Sequence, residues 1–309
     1  MIVTQHSGDG KANQYFLRGF NLDHGSDFAS HVNGMPVNVS SHAHGQGYMD
    51  LNFLIPELIG SAKYRKGVYA VEDGDFTTTG SARIDYARRL DSSLADFSLG
   101  QHNYRRLLVA GSREVNGLQL IGGVEVTGND GPWDQPEKLG KTSAVLRLSS
   151  GNAANGFALT AMAYAARWLA TEHVPERAIA SGEIGRYGSL SPNDGGRTHR
   201  YSLSAEWGKT DASGAGKASV YLVDYGLNLF SAPSTWDNGG EATAIWRSPS
   251  PASRKPTRAT AAAMCRTPSR SPPRSALPVT AAAAGSAACA CATSAPTRRR
   301  KPTSKNPAP

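Results

Sequence analysis

The chain has 309 residues and a formal charge of +8, but the excess is local. Residues 247–309 hold 12 Lys or Arg and no Asp or Glu, which leaves 21 basic against 25 acidic side chains in the first 246. No run of 18 apolar residues occurs, so a membrane-spanning helix is excluded; a spanning β-barrel is not, because its strands alternate.

Met1-Ile2-Val3 runs straight into Thr4-Gln5-His6-Ser7-Gly8, without the basic start and apolar run of a secretory signal. Gln14-Tyr15-Phe16-Leu17-Arg18-Gly19-Phe20, followed by Val32-Asn33-Gly34-Met35-Pro36-Val37-Asn38, reads as two strands with a tight turn. Ser41-His42-Ala43-His44-Gly45-Gln46-Gly47-Tyr48 comes next, with Asp23, His24, Asp27 and His31 upstream, as a polar concentration. His42 and His44 fall on one side of an extended segment and can ligate a Zn²⁺ or Cu²⁺ ion. A hydrolase metal centre would need further ligands on parallel-strand ends, and no βαβ pattern supplies them. Whether this segment holds a metal is unknown from the sequence.

Beyond residue 90 the chain alternates with strand period. Six strands are expected near 93–110, 116–128, 140–150, 156–170, 198–210 and 216–230. Tyr201, Leu203, Ala205 and Trp207 share one face, opposite Ser202, Ser204 and Glu206. Leu118, Leu120, Val124 and Val126 likewise oppose Gln119, Glu125 and Thr127. Aromatics near strand ends, Trp168, Tyr201, Trp207 and Tyr221, suit interface girdles. Asn116-Gly117, Gly151 to Gly156 and Asp211 to Gly216 are short joins, whereas Thr171 to Thr198 is long. Short turns on one rim and long loops on the other fit a membrane barrel, although a soluble antiparallel sheet also alternates.

The tail lacks Phe, Tyr and Trp after Trp246 and is built from Ala, Pro, Ser, Thr and Arg, so residues 236–309 are expected to be a disordered basic segment. Its abrupt change of text suggests a frame lost between Ser231 and Trp246. Without an aromatic for base stacking, nucleic acid is not an expected partner. Cys265, Cys289 and Cys291 all lie there, leaving a cysteine-free body. A phosphate-cradling Gly-rich loop, a nucleophile elbow and a dinucleotide fingerprint are all missing, so neither an enzyme nor a cofactor is expected.

The opening strand pair resembles the plug of TonB-dependent outer-membrane receptors when taken together with a second set of segments. These are Tyr64-Arg65-Lys66-Gly67, Asp73-Gly74-Asp75-Phe76, Thr79-Gly80 and Ala82-Arg83-Ile84, within Lys63 to Ile84. Phe97 to about Phe230 resembles the first strands of the family's barrel. The resemblance implies an all-β architecture: an α+β plug remnant at 1–90, part of a transmembrane antiparallel β-barrel at 91–235, and the foreign tail. It also implies energised uptake of a scarce nutrient (an iron chelate, a metal complex or a cobalamin-like ligand) across the outer membrane. A TonB-type protein and outer-membrane lipid would be the partners; the TonB box, the start of the plug and most of the barrel are not seen, so transport by this chain alone is not expected. In such a plug the 41–48 segment is an apical loop, and His42, His44, Gln46 and Tyr48 are candidate ligand contacts. Arg18, Arg65, Lys66, Asp73 and Asp75 are expected to tie plug to wall as ion pairs. A soluble β-rich ligand-binding protein is the alternative.

Overall fold

Three Gly-containing dipeptides set the local topology. Arg18-Gly19, Asn33-Gly34 and Asn116-Gly117 all have positive φ at both positions, the backbone of type I′ turns whose twist matches that of the strands they join. In a computed structural model that describes residues 1–5, 10–40, 47–171 and 173–230, and the backbone alone of 245–247, 260–263 and 279–280, each of these closes a hairpin. The two N-terminal runs therefore form two separate hairpins, not one pair.

Strands β1 (Ile2–Thr4), β2 (Gln14–Leu17) and β3 (Phe20–Asn21) make a small antiparallel sheet. A mixed sheet follows, built from β4 (Phe28–Val32), β5 (Met35–Pro36), β6 (Ile59–Lys66) and β7 (Gly80–Tyr86) in the order β5-β4-β7-β6, with β4 and β7 parallel. Among the described residues, helical structure in this first part is limited to the 3-10 turns Pro56–Leu58 and Val71–Asp73.

The large sheet is an antiparallel meander of β8 (Leu94–Leu99), β9 (Arg105–Val115), β10 (Leu118–Asn129), β11 (Leu139–Gly151), β12 (Gly156–Leu169), β13 (Gly195–Asp211) and β14 (Gly214–Phe230). It stays open among the described residues. Strands β9 to β14 have 11 to 17 residues each, enough to cross a hydrocarbon core. The expected strand at 93–110 is two strands, because His102 and Asn103 take positive φ and turn the chain. A short helix, α1 (Glu176–Ala180), sits in the long loop before β13. Three more backbone segments, β15 (Ile245–Arg247), β16 (Thr260–Ala263) and β17 (Val279–Thr280), extend the sheet, β15 and β16 beside β14 and β17 beside β16. The rest of the expected disordered tail lies outside the described residues.

Candidate functional site at the plug and wall interface

Cross-strand register decides which residues share a face. Tyr201, Leu203 and Trp207 of β13 are exposed at 49%, 43% and 50%, whereas Ser202 and Ser204 are buried. Neighbouring strands add Leu107, Val109, Val124, Val126, Leu146, Leu159 and Leu222 to the same outer face. The convex side is thus a continuous apolar band over at least five strands, far beyond the scattered exposed apolar residues of a water-soluble surface. No helix among the described residues is long and apolar enough to cross a membrane. Trp168 and Tyr221 break the expected girdle, because both face inward. Trp168 is 4% exposed and lies flat on Gly10, where a Cβ would sit 2.0 Å from its ring.

The concave side carries Thr160, Ser143, Ser149, Glu125, Arg147 and Arg200 as buried polar groups, and the N-terminal sheets are seated on it. One apolar cluster runs through both parts, with Leu58, Ile55, Met35 and Tyr48 against Leu108, Ile121, Val145 and Leu229. Gly123 makes the approach possible, since a Cβ there would meet Leu58 at 2.8 Å.

Ion pairs fix the contact. Arg106 of β9 donates to both oxygens of Glu57 at 2.8 and 2.9 Å, and also to Glu125 on β10. Lys141 of β11 reaches the other Glu125 oxygen at 2.8 Å. The Glu57 carboxyl is held below its ordinary pKa by the hydrogen bonds from Arg106. Further along, Arg200 donates to the Pro36 carbonyl at 3.3 Å and Arg88 to the carbonyls of Ser150 and Gly151. The charges picked out by sequence behave differently. Asp73 is buried and accepts from Arg65 (2.9 Å), Arg83 (2.8 Å) and the Ser81 hydroxyl (2.7 Å), all within the N-terminal part. Arg65 and Asp73 therefore tie the plug to itself, not to the wall. Lys66 lies over the Tyr64 ring, and Arg18 occupies a turn.

The loop of candidate ligand residues springs from a single bridge, Val39 with Tyr48, made by backbone bonds of 2.9 and 3.1 Å. His42, His44 and Gln46 lie outside the described residues. Tyr48 is 2% exposed, and its hydroxyl accepts the Ala12 amide at 2.8 Å. Its ring lies 5.8 Å from His24 and 6.4 Å from Tyr225. His24 is also fully buried, with Nδ1 2.8 Å from the Ala12 carbonyl. Among the described residues no group of three His, Cys, Asp or Glu side chains gathers into a metal site.

Asp50, two residues on, is the unusual titratable group of this interface. Its carboxylate accepts the Asn52 amide at 2.8 Å. Burial pushes its pKa up to about 6 against that bond and against Arg200 and Lys141. The folded state then takes up a proton between pH 4 and 6 that the unfolded chain does not. Stability falls as pH rises through this window, by about 2–3 kcal/mol in all. Asp50→Asn should flatten that slope, leaving denaturation midpoints equal at pH 4 and higher than wild type at pH 7. Asp73 works the other way below that window: its depressed pKa gives stability that is lost as pH falls through and below 4.

No protein-family model matches the chain, and no curated protein matches it. Solved structures do. The siderophore receptor PiuA from Acinetobacter baumannii superposes with a TM-score of 0.53 at 13% identity, over 74% of this chain and 33% of that one. The ferric yersiniabactin uptake receptor FyuA from Yersinia pestis gives 0.53 at 15% identity, over 75% and 38%. The pyoverdine outer membrane receptor FpvA from Pseudomonas aeruginosa gives 0.53 at 11% identity, over 85% and 37%. This chain has part of the plug-and-barrel fold of these outer-membrane receptors. It spans 33% to 38% of the length of those receptors. In terms of this receptor fold, the N-terminal sheets occupy the place of the plug and β8 to β14 that of the wall.

Sequence reasoning missed the ties that join the two. Glu57 and Arg106 stand 49 positions apart, and no periodicity links them. The available signal was Glu125, a carboxylate on the alternation's inward side of β10, which demanded a cation.

Proposed function

We propose that this chain is the plug and opening wall of an outer-membrane uptake receptor whose cargo is a scarce nutrient, first of all an iron chelate, moved with energy from a TonB-type partner. On this reading residues 1–90 are plug, 91–235 are wall, and 236–309 take no part in the site. The observation that carries it is the two-sided wall: a continuous apolar outer band backed by a buried polar inner face on which a separate small domain is seated by Glu57 and Arg106. A soluble β-rich ligand-binding protein would gain nothing from exposing that band to water. Siderophore and iron cargoes of the superposed receptors support the choice of cargo. Because this chain alone is not expected to transport, the test is growth of a strain that carries the gene completed to a full barrel, compared with one that lacks it, on iron-depleted medium supplied with one chelate at a time. Growth on one chelate that depends on the completed gene supports the reading; equal growth of the two strains on every chelate and on a cobalamin-dependent medium refutes it.

The cargo meets the plug at the loop rooted on the Val39–Tyr48 bridge, with His42, His44 and Gln46 as the contacts and Tyr48 as the anchor. Tyr48 packs on Tyr225, which lies nearer the Phe230 end of β14 than the Gly214 end, and the Phe230 end is the long-loop rim. Replacing His42 and His44 together by Ala should weaken chelate binding roughly tenfold, about one hydrogen-bonded contact's worth. Titration of the chelate by tryptophan fluorescence checks this, and unchanged affinity removes the loop from the site.

A further inference from the structure

The inner-face arginines Arg106 and Arg147 have carboxylate partners, as do Arg65 and Arg83 in the plug. Four outer-face arginines do not: Arg113 of β9, alone at the short-turn rim, and three that stand together at the opposite rim. Arg105 of β9, Arg167 of β12 and Arg197 of β13 are exposed and have no hydrogen bond or ion pair among the described residues. The register places them on one row across the sheet: Arg105 opposite Gly128, Gly128 opposite Gly140, Gly140 opposite Arg167, and Arg167 opposite Arg197.

The two central glycines shape the row. A Cβ on Gly128 would lie 2.9 Å from Arg105 Nε, and one on Gly140 would lie 3.7 Å from Arg167 Nε. Arg105 thus leans from β9 over β10, and Arg167 leans from β12 over β11. The two side chains converge on a floor made bare by paired glycines. A groove of about 780 Å³ follows this row, and neither Asp nor Glu lines it. Two cations leaning together without a carboxylate between them repel, and an anion removes that cost.

Position along the strand says which anion. One pleat below, toward the short turns, the outer face reads Leu107, Val126, Thr142 and Ala165; one more below it reads Val109, Val124, Ala144 and Ala163. The row therefore stands at the edge of the apolar band, about 7 Å above its first residues by strand rise. It is also on the rim with the long loops 130–138 and 170–194, which in outer-membrane barrels is the external rim. Arginine's planar fork suits phosphate in two-point contact.

We infer that Arg105, Arg167 and Arg197 form a headgroup site for a phosphate-bearing lipid of the outer leaflet, its acyl chains lying on Leu107, Val126, Val109 and Val124. Arg105 stands three strand spacings, about 14 Å, from Arg167 before their side chains lean inward, and Arg197 lies one spacing beyond, so a headgroup with two phosphates fits better than one with a single phosphate. This inference rests on the reading of the outer face as lipid-facing.

Vesicle flotation tests it, with the full chain added from detergent to phosphatidylcholine vesicles alone or containing one fifth diphosphoryl lipid A. The wild type should associate with both and prefer the anionic vesicles. Replacing all three arginines by Gln should lower association with the anionic vesicles about one hundredfold, roughly fivefold per arginine, and leave the neutral vesicles unaffected. Three Lys in their place should restore part of the preference, since the charge returns but the fork does not. Circular dichroism of each variant guards against misfolding, and single Gln variants graded at roughly fivefold serve if the triple variant does not fold. No preference for anionic vesicles, or a preference that the Gln variants keep, overturns the lipid site. Abolition of the preference by millimolar inorganic phosphate overturns it in favour of a free-anion site. If the wild type associates with neither kind of vesicle, the lipid-facing wall itself fails and the site falls with it; a wall that binds neutral vesicles without discriminating loses only the arginine site.

Discussion

Arg106→Ala should destabilise the folded chain by about 3–5 kcal/mol, the cost of breaking a buried ion pair from one side. Glu125 is 1% exposed, and its two cations are Arg106 and Lys141. Removing the guanidinium leaves a buried carboxylate with a single partner and frees Glu57 from its two hydrogen bonds. Lys141 remains at 2.8 Å, which places the expected loss toward the lower end of the range. Arg65→Ala is the natural comparison: Arg65 is exposed, so solvent screening should make its loss far less costly even though Asp73 is buried beside it. Urea unfolding in detergent, followed by tryptophan fluorescence, measures both. The result has a second use, because Arg106 joins wall to wall through Glu125 and wall to plug through Glu57. A double-mutant cycle with Glu57→Gln isolates the plug contribution. A coupling near zero would mean that the plug is seated by its apolar cluster alone, with Leu58 against Gly123 and Ile121 carrying the contact.

Strands with clean alternation and turn-forming ends could be read from the chain directly. The expected strand at 156–170 is found at Gly156–Leu169, and that at 140–150 at Leu139–Gly151, because Gly151, Asn152, Asn155 and Gly156 punctuate the turn between them. The expected strand at 93–110 was too long for a local reason. Leu99 and Tyr104 keep the apolar rhythm across a turn that depends on positive φ at His102 and Asn103, and neither residue announces it as Asn-Gly does. On β14 both faces are apolar. Val220 and Leu222 point out while Tyr221, Val223 and Tyr225 pack inward against the plug, so composition alone cannot orient the strand. The same limit misplaced Trp168 and Tyr221 as girdle residues. Contacts that join plug to wall were the least legible. They link residues tens of positions apart, and charges such as Asp73 found partners eight and ten residues away before any on the wall.

Leu146→Arg should cost about 2–4 kcal/mol in a bilayer, the penalty for a basic residue at mid-depth on the lipid face of a barrel. Leu146 is 55% exposed at the centre of β11, between Gly122 and Ala161 in register, with no further layer over it among the described residues. Ser150 lies two pleats along the same outer face, next to the short turn at 152–155, where the same substitution should cost about 0–1 kcal/mol. The pair separates a membrane wall from a soluble sheet because in water the two positions should hardly differ. A half-exposed leucine facing water can become arginine within about 0.5 kcal/mol, and so can a serine at the strand end. The arginine substitutions at Leu146 and Ser150 should therefore differ by at least about 1 kcal/mol in lipid and hardly at all in water. Folding free energies in lipid vesicles and in a non-ionic detergent, whose core also excludes charge, should both show the gradient. Equal costs at the two depths would mean that the outer band is not graded against a hydrocarbon layer. The open apolar face would then have to be covered by protein, and the proposed uptake receptor would lose its wall.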